Sequence, residues 1–180
     1  MFDTISSQAS KLINLTNRVR NSKPSKTKLI TVTSGKGGVG KSTFTANIAF
    51  LLSQRGYKVA VIDADIGLAN MQVLFNMKPK YTLFDYIDGM KTLEEVTLKT
   101  SYDNLYLVAG KSGYQYSNHS NSFVFSRIVQ DLISLNKFDI ILVDTGAGLN
   151  DYVKEFLTIS DNILAITTTD PSALTDVYSL

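Results

Sequence analysis

Residues 35–42 read Gly-Lys-Gly-Gly-Val-Gly-Lys-Ser and fit the pattern G-x-x-x-x-G-K-[ST], with Gly35, Gly40, Lys41 and Ser42 at its defined positions. The chemistry such a run can do is phosphate binding. Gly35, Gly37, Gly38 and Gly40 let the backbone curl so that successive N–H groups converge on phosphate oxygens without Cβ clashes. A helix starting directly afterwards adds unsatisfied N–H groups and a partial positive charge. Lys41 is placed to reach the β and γ phosphates of a nucleotide, and the Ser42 hydroxyl to ligate Mg²⁺. The expected nucleotide-binding segment is therefore Gly35, Lys36, Gly37, Gly38, Val39, Gly40, Lys41, Ser42 and Thr43. Three carboxylates belong with it by type and position. Asp63 and Asp65 close one apolar run, and Asp144 closes another after four apolar residues. An apolar strand ending in Asp is what a Walker B site needs to aim a carboxylate at the water shell of Mg²⁺.

The elements around these residues are those that must hold them. Residues 29–33 are a short β-branched run with the length of a buried parallel strand. After Lys41 the spacing of Phe44, Ile48, Leu51 and Leu52, with Ala46 and Ala49 between, is helical, and Gly56 suits the position just past the helix end. Residues 57–65 predict a second strand. Short helices start at Thr82 and Thr92, the latter in a capping box with Glu95. Residues 104–109 predict a third strand, and residues 110–122 a polar loop that holds the only histidine, His119. A helix capped by Ser122 carries Phe125, Ile128, Val129, Leu132 and Ile133. Residues 138–144 and 162–168 complete five strands, residues 145–148 form a flexible turn beside the γ phosphate, and Pro171 opens a closing helix. In such an α/β sheet the carboxyl ends of parallel strands face the ligand crevice, so the phosphate loop, Asp63, Asp65 and Asp144 should meet there.

Three segments follow: an amphipathic helix over residues 1–20, with Phe2, Ile5, Ala9, Leu12, Leu15 and Val19 on one stripe; a polar linker over 21–27 containing Pro24; and the α/β domain over 28–180. With 44% hydrophobic and 19% charged residues the chain reads as globular. A net charge of +2 is too small to argue for nucleic acid or membrane. The chain has no cysteine, which excludes disulfide scaffolds and Cys-held iron–sulfur clusters. It has no apolar run of membrane-spanning length and opens with no secretory signal, so a cytoplasmic protein is expected.

Lys36, one residue after the first glycine, narrows the field. Lys36-Gly-Gly-Val-Gly-Lys41-Ser42-Thr43 resembles the phosphate loop of the MinD/ParA class of ATPases, K-G-G-x-G-K-[ST]. The resemblance implies a three-layer P-loop NTPase fold of the SIMIBI class, with a mostly parallel central sheet flanked by helices. It implies Mg²⁺ and ATP as ligands, hydrolysis of ATP to ADP and phosphate, and an ATP-dependent homodimer. In that class the extra lysine, here Lys36, reaches the partner's phosphates, and the second Asp, here Asp65, positions the attacking water. Lys36, Lys41 and Asp65 are then the catalytic set. Asp63 becomes a partner of Mg²⁺ or Ser42, joining Ser42 and Asp144 around the metal. Residues 66–71 resemble the MinD-type switch segment.

Within the class, three stretches resemble the flagellar-number ATPase family, FlhG or FleN. Asp144-Thr-Gly-Ala-Gly148 matches a switch where MinD and ParA usually have proline. Thr168-Thr-Asp-Pro-Ser-Ala-Leu-Thr-Asp176 resembles its T-x-P-x-A-[LI]-T-D segment. Ser7-Gln-Ala-Ser-Lys-Leu12 occupies the place of D-Q-A-x-x-L-R, which engages the SRP-type GTPase FlhF, although Ser7 and Ile13 depart from that motif. Gln8, Ala9 and Leu12 are the partner-binding residues this implies. Five strands are fewer than the class carries, so the chain is expected to be incomplete at its C-terminus and to dimerise weakly or not at all. Base recognition and a membrane-targeting helix would lie beyond residue 180, with the full-length protein peripheral at the inner face of the cell membrane. No nucleic-acid partner is expected. A ParA-like DNA-partitioning or MinD-like division-site ATPase is the alternative. A nucleotide-gated scaffold without turnover would lack Asp65, and a bacterial tyrosine kinase would carry a terminal tyrosine cluster.

Overall fold

A computed structural model describes residues 27–113 and 124–179. The expected helix over residues 1–20 with Gln8, Ala9 and Leu12, nearly all of the linker, His119 and the Ser122 cap lie outside the described residues. Six strands form one sheet in the order β3-β4-β2-β5-β1-β6. They are β1 (Lys28–Ser34), β2 (Val59–Ala64), β3 (Thr97–Lys99), β4 (Leu105–Val108), β5 (Ile140–Ala147) and β6 (Asn162–Ala165). All neighbours pair in parallel except β3, which runs antiparallel to β4. Five strands are those expected. The sixth, β3, has three residues directly behind a helical turn, too few for a period-2 signal.

The central strand β2 shows how both faces are filled. Val59 and Val61 point into one apolar cluster, with Ala46, Ala49, Phe75 and Leu142, while Ala60 and Ile62 point into the other, with Phe125, Ile128 and Phe156. Strands buried on both faces read as continuous apolar runs, which is why β2 and β5 were legible. The second cluster is closed by α5 (Val124–Ser134) and α6 (Asp151–Ile159), whose Phe125 and Phe156 rings lie 5.1 Å apart. α6 was not anticipated. Its signals are the Asn150 side chain, which accepts from Val153 N at 2.9 Å, and the spacing of Val153 and Phe156. Shorter helices α2 (Met71–Leu74), α3 (Leu83–Ile87) and α4 (Leu93–Val96) lie between β2 and β3. Thr92 and Glu95 make the expected reciprocal cap.

Helix α1 (Lys41–Gln54) follows the phosphate loop, where the helical spacing predicts it. Its period is helical and its large apolar residues divide: Ile48 and Leu52 pack, partly buried, against the core, whereas Phe44 and Leu51 lie outward. Phe44 is 36% and Leu51 53% exposed, while Lys41, Thr45, Ala46, Ala49 and Ser53 are buried. Ala46 and Ala49 have no side-chain bulk, so the helix axis lies close against the sheet, and the same face carries Thr45 and Lys41 towards the strand ends. Gly56 takes the left-handed conformation (φ 90°) that ends this helix.

A correction concerns residues 145–147. The sequence predicts a turn there, whereas β5 continues to Ala147, paired with Ser34 across a register shift in β1. Thr145 Oγ1 donates to Val32 O at 3.1 Å and Gly148 N to Ser34 O at 2.9 Å, which ties the segment to the phosphate-loop strand. The left-handed turn begins only at Gly148 (φ 78°).

Candidate nucleotide site

Helix α1 begins with no side-chain cap. Gly40 stands at the N-cap with φ 92°, a conformation that favours glycine, and leaves the first-turn N–H groups open to an anion. Gly35 is required for a different reason. A Cβ there would lie 2.6 Å from the backbone oxygen of Asp176, because the closing helix α7 (Pro171–Tyr178) packs against the start of the loop. Residues 36–38 and Gly40 are exposed, Gly35, Val39 and Ser42 half-buried, Thr43 exposed and Lys41 buried.

At the centre lies an ion pair. Lys41 Nζ donates to Asp144 Oδ1 at 2.9 Å, with the two side chains 7% and 0% exposed. Thr45 Oγ1 approaches the same oxygen at 3.2 Å, and Asp144 Oδ2 is buried without a hydrogen-bond partner. A buried carboxylate oxygen lacking a donor is costly, and a cation or its bound water is what would satisfy it. Among the described residues no three His, Cys, Asp or Glu side chains converge as a metal cage. Mg²⁺ fits such a place, because it binds through one or two carboxylates together with substrate phosphates. Ser42, Asp144 and the open helix N-terminus are thus suited to Mg²⁺ with a nucleotide.

Asp63 sits beside Asp144 on the neighbouring strand, in register. Its Oδ2 accepts from Met71 N at 2.9 Å and its Oδ1 from Asp65 N at 3.3 Å, so the start of α2 hangs from it. Burial pushes the Asp63 carboxyl up to about 7, with the charges of Asp144 and Asp65 adding and the two backbone hydrogen bonds opposing. The fold therefore holds this proton well above the ordinary value of 3.8. The stability it contributes is full below that value and is lost as pH rises through about 7. Without nucleotide and in EDTA, the melting temperature of the parent should fall more steeply between roughly pH 5 and 8 than that of Asp63→Asn. Equal slopes would refute the assignment.

Asp65 Oδ1 accepts from Gly67 N at 3.0 Å and Leu68 N at 3.1 Å, which anchors the carboxylate at the head of residues 66–70. A Cβ on Gly146 would lie 3.5 Å from that oxygen, so Asp65 and the end of β5 are neighbours. Lys36 is held within its own chain. Its Nζ donates to Ser172 Oγ at 2.7 Å and Asp170 Oδ2 at 3.3 Å, at the N-terminus of α7. Asp170 also caps that helix through Ser172 N at 2.9 Å, and these hydrogen bonds, with Lys36 after them, hold its carboxyl below the usual range.

The fold thus brings the phosphate loop, Asp63, Asp65 and Asp144 to the carboxyl edge of β1, β2 and β5. Sequence reasoning missed Thr45, Asp170 and Ser172. Thr45 carried one signal: it lies four residues after Lys41, on the same helix face.

The family profile described as "ParA: NUBPL iron-transfer P-loop NTPase" matches residues 25–179. The chain belongs to the ParA/MinD family of P-loop NTPases. Among relatives of this family, the flagellum site-determining protein YlxH of Helicobacter pylori is 41% identical over 97% of this chain and 61% of its own length. The antiactivator FleN of Pseudomonas aeruginosa is 36% identical over 84% of this chain and 54% of its length. The structure of the septum site-determining protein MinD of Pyrococcus horikoshii with Mg-ADP superposes with a TM-score of 0.74 at 30% identity, covering 83% of this chain and 61% of that one. The chain therefore spans less than two thirds of the length of these relatives.

Proposed function

We propose that this chain is the nucleotide-binding part of an ATP-driven switch that controls flagellar number or placement, hydrolysing ATP slowly and pairing with a second copy when ATP is bound. The observation that carries the reading is the Lys41–Asp144 pair beneath an uncapped, glycine-led helix N-terminus. The likeness to YlxH and FleN supports the flagellar assignment. Mg²⁺, when bound, would neutralise charge on the phosphates. Lys41, drawn from Asp144 to the phosphates, would clamp them. Asp65, fixed through Oδ1 by two N–H groups, would use Oδ2 to orient the attacking water. Phosphate release from Mg²⁺ATP by the purified chain tests the activity. A zero rate at every protein concentration, with ATP bound, would leave a switch without turnover.

Lys36 would act across the pair of chains, which requires it to leave Asp170 and Ser172. That contact is exposed on both sides, hence weak and screened by salt. Lys36→Ala is expected to bind ATP as the parent does but to form no ATP-dependent dimer. Light scattering with a non-hydrolysable analogue, on the chain and on a form extended to the length of its relatives, checks this. A dimer that persists in the variant would reduce Lys36 to a loop lysine.

The same reading places the protein in the cytoplasm, with membrane attachment through sequence beyond residue 180, and Gln8, Ala9 and Leu12 against the SRP-type GTPase FlhF. A peptide of residues 1–20 that leaves that GTPase's rate unchanged would remove the last part. Division-site placement is the second reading, favoured by the superposition on MinD.

A further inference from the structure

The two oxygens of Asp144 are treated differently. Oδ1 receives Lys41 Nζ at 2.9 Å and Thr45 Oγ1 at 3.2 Å, while Oδ2 is buried and unpartnered. A carboxylate can rotate about its last bond, so bonds to one oxygen decide where the other points. Lys41 cannot serve as that restraint throughout, because in the reading above it turns to the phosphates when nucleotide binds. Thr45 stays. It is fully buried on the sheet-facing side of α1, one turn beyond Lys41.

The Thr45 hydroxyl has one proton and faces two acceptors, Lys41 O at 3.0 Å and Asp144 Oδ1 at 3.2 Å. While the ammonium is on Oδ1, the carboxylate already has a strong donor. Once the ammonium leaves, the ionised oxygen is the better acceptor of the two. The β-branched side chain has few χ1 choices in a helix, so the hydroxyl is already placed to make that bond.

We propose that Thr45 is a positioning residue that holds Asp144 Oδ1 after Lys41 moves to the phosphates, and so keeps Oδ2 aimed at the Mg²⁺ position. This rests on the reading of Lys41 and Asp144 as phosphate and Mg²⁺ residues. Thr45 touches neither ligand. It acts through Asp144, as the outer partners of metal-binding side chains do.

The test titrates Mg²⁺ against the full chain at a fixed concentration of a fluorescent, non-hydrolysable ATP analogue, for the parent, Thr45→Val and Thr45→Ser. Thr45→Val keeps the shape and removes the hydroxyl. It should raise the Mg²⁺ concentration at half-maximal binding by about tenfold or more, leave affinity in EDTA unchanged, and be rescued by Thr45→Ser. Melting in EDTA reports on folding, and Thr45→Ala replaces Thr45→Val if the latter fails to fold. An unchanged Mg²⁺ requirement without the hydroxyl overturns the proposal. Equal shifts in the Ser and Val variants overturn it too, since a side chain that keeps the hydroxyl would then be as impaired as one that lacks it. If the parent's own nucleotide binding ignores Mg²⁺, the reading of the site fails and the proposal with it. A Mg²⁺-dependent parent beside an unaltered Thr45→Val condemns Thr45 alone.

Discussion

Lys41→Ala loses ATP binding, on the order of 2–5 kcal/mol, because buried phosphate charge is left without its partner. The same substitution acts before any nucleotide arrives. Lys41 is 7% and Asp144 0% exposed, and removing the ammonium strands a carboxylate in the interior. Breaking such a pair from one side costs about 3–5 kcal/mol unless the survivor takes up a proton. Lys41→Arg retains the charge and separates the two effects: it should melt closer to the parent while still binding ATP less well, since a planar guanidinium does not replace a compact ammonium in a tight loop. Calorimetric titration with Mg²⁺ATP is the measurement. Parental affinity in Lys41→Ala would end the phosphate-loop assignment, whatever the melting curve shows.

Asp65→Ala should leave nucleotide binding intact and lower turnover by about 10²–10⁴-fold, the range for losing a positioned general base or its equivalent. The structure adds a complication and a remedy. Asp65 Oδ1 also anchors Gly67 N and Leu68 N, so alanine frees the head of residues 66–70 as well as removing the carboxylate. Asp65→Asn keeps an oxygen acceptor for those N–H groups and removes only the charge and basicity. Both variants should be equally slow in single-turnover phosphate release while binding the analogue as the parent does. If Asp65→Asn turns over at the parental rate, the carboxylate does not orient water. If only Asp65→Ala is slow, the residue serves the turn.

What could be read along the chain is whatever depends on residue type at fixed spacing. Phosphate binding needs small residues, a lysine and a hydroxyl within eight positions, so residues 35–42 announce themselves. Asp63 and Asp144 were legible because a doubly buried parallel strand is an unbroken apolar run, and a carboxylate closing such a run stands out. Pro171, Gly56 and the Thr92–Glu95 cap were legible for the same kind of reason: each meets a local backbone requirement with few solutions.

Other features depend on how distant segments pack, and those were decided in three dimensions. Helical spacing in α1 identified the helix but not its inner face. Of the spaced apolar residues, Ile48 and Leu52 pack against the core while Phe44 and Leu51 stay exposed, and Ala46 and Ala49 are the buried ones, because a close approach needs small residues. The partners of Lys36 at Asp170 and Ser172, and of Thr45 at Asp144, are 134, 136 and 99 residues away along the chain. No local pattern encodes such pairs. They exist because parallel strands joined by crossover helices deliver their carboxyl ends to one edge, and each crossover inserts tens of residues between neighbours in space. The strand β3 and the continuation of β5 through Ala147 arise in the same way. Three residues become a strand only when β4 supplies the donors and acceptors, and a glycine-containing segment stays extended only because β1 lies beside it to take its hydrogen bonds.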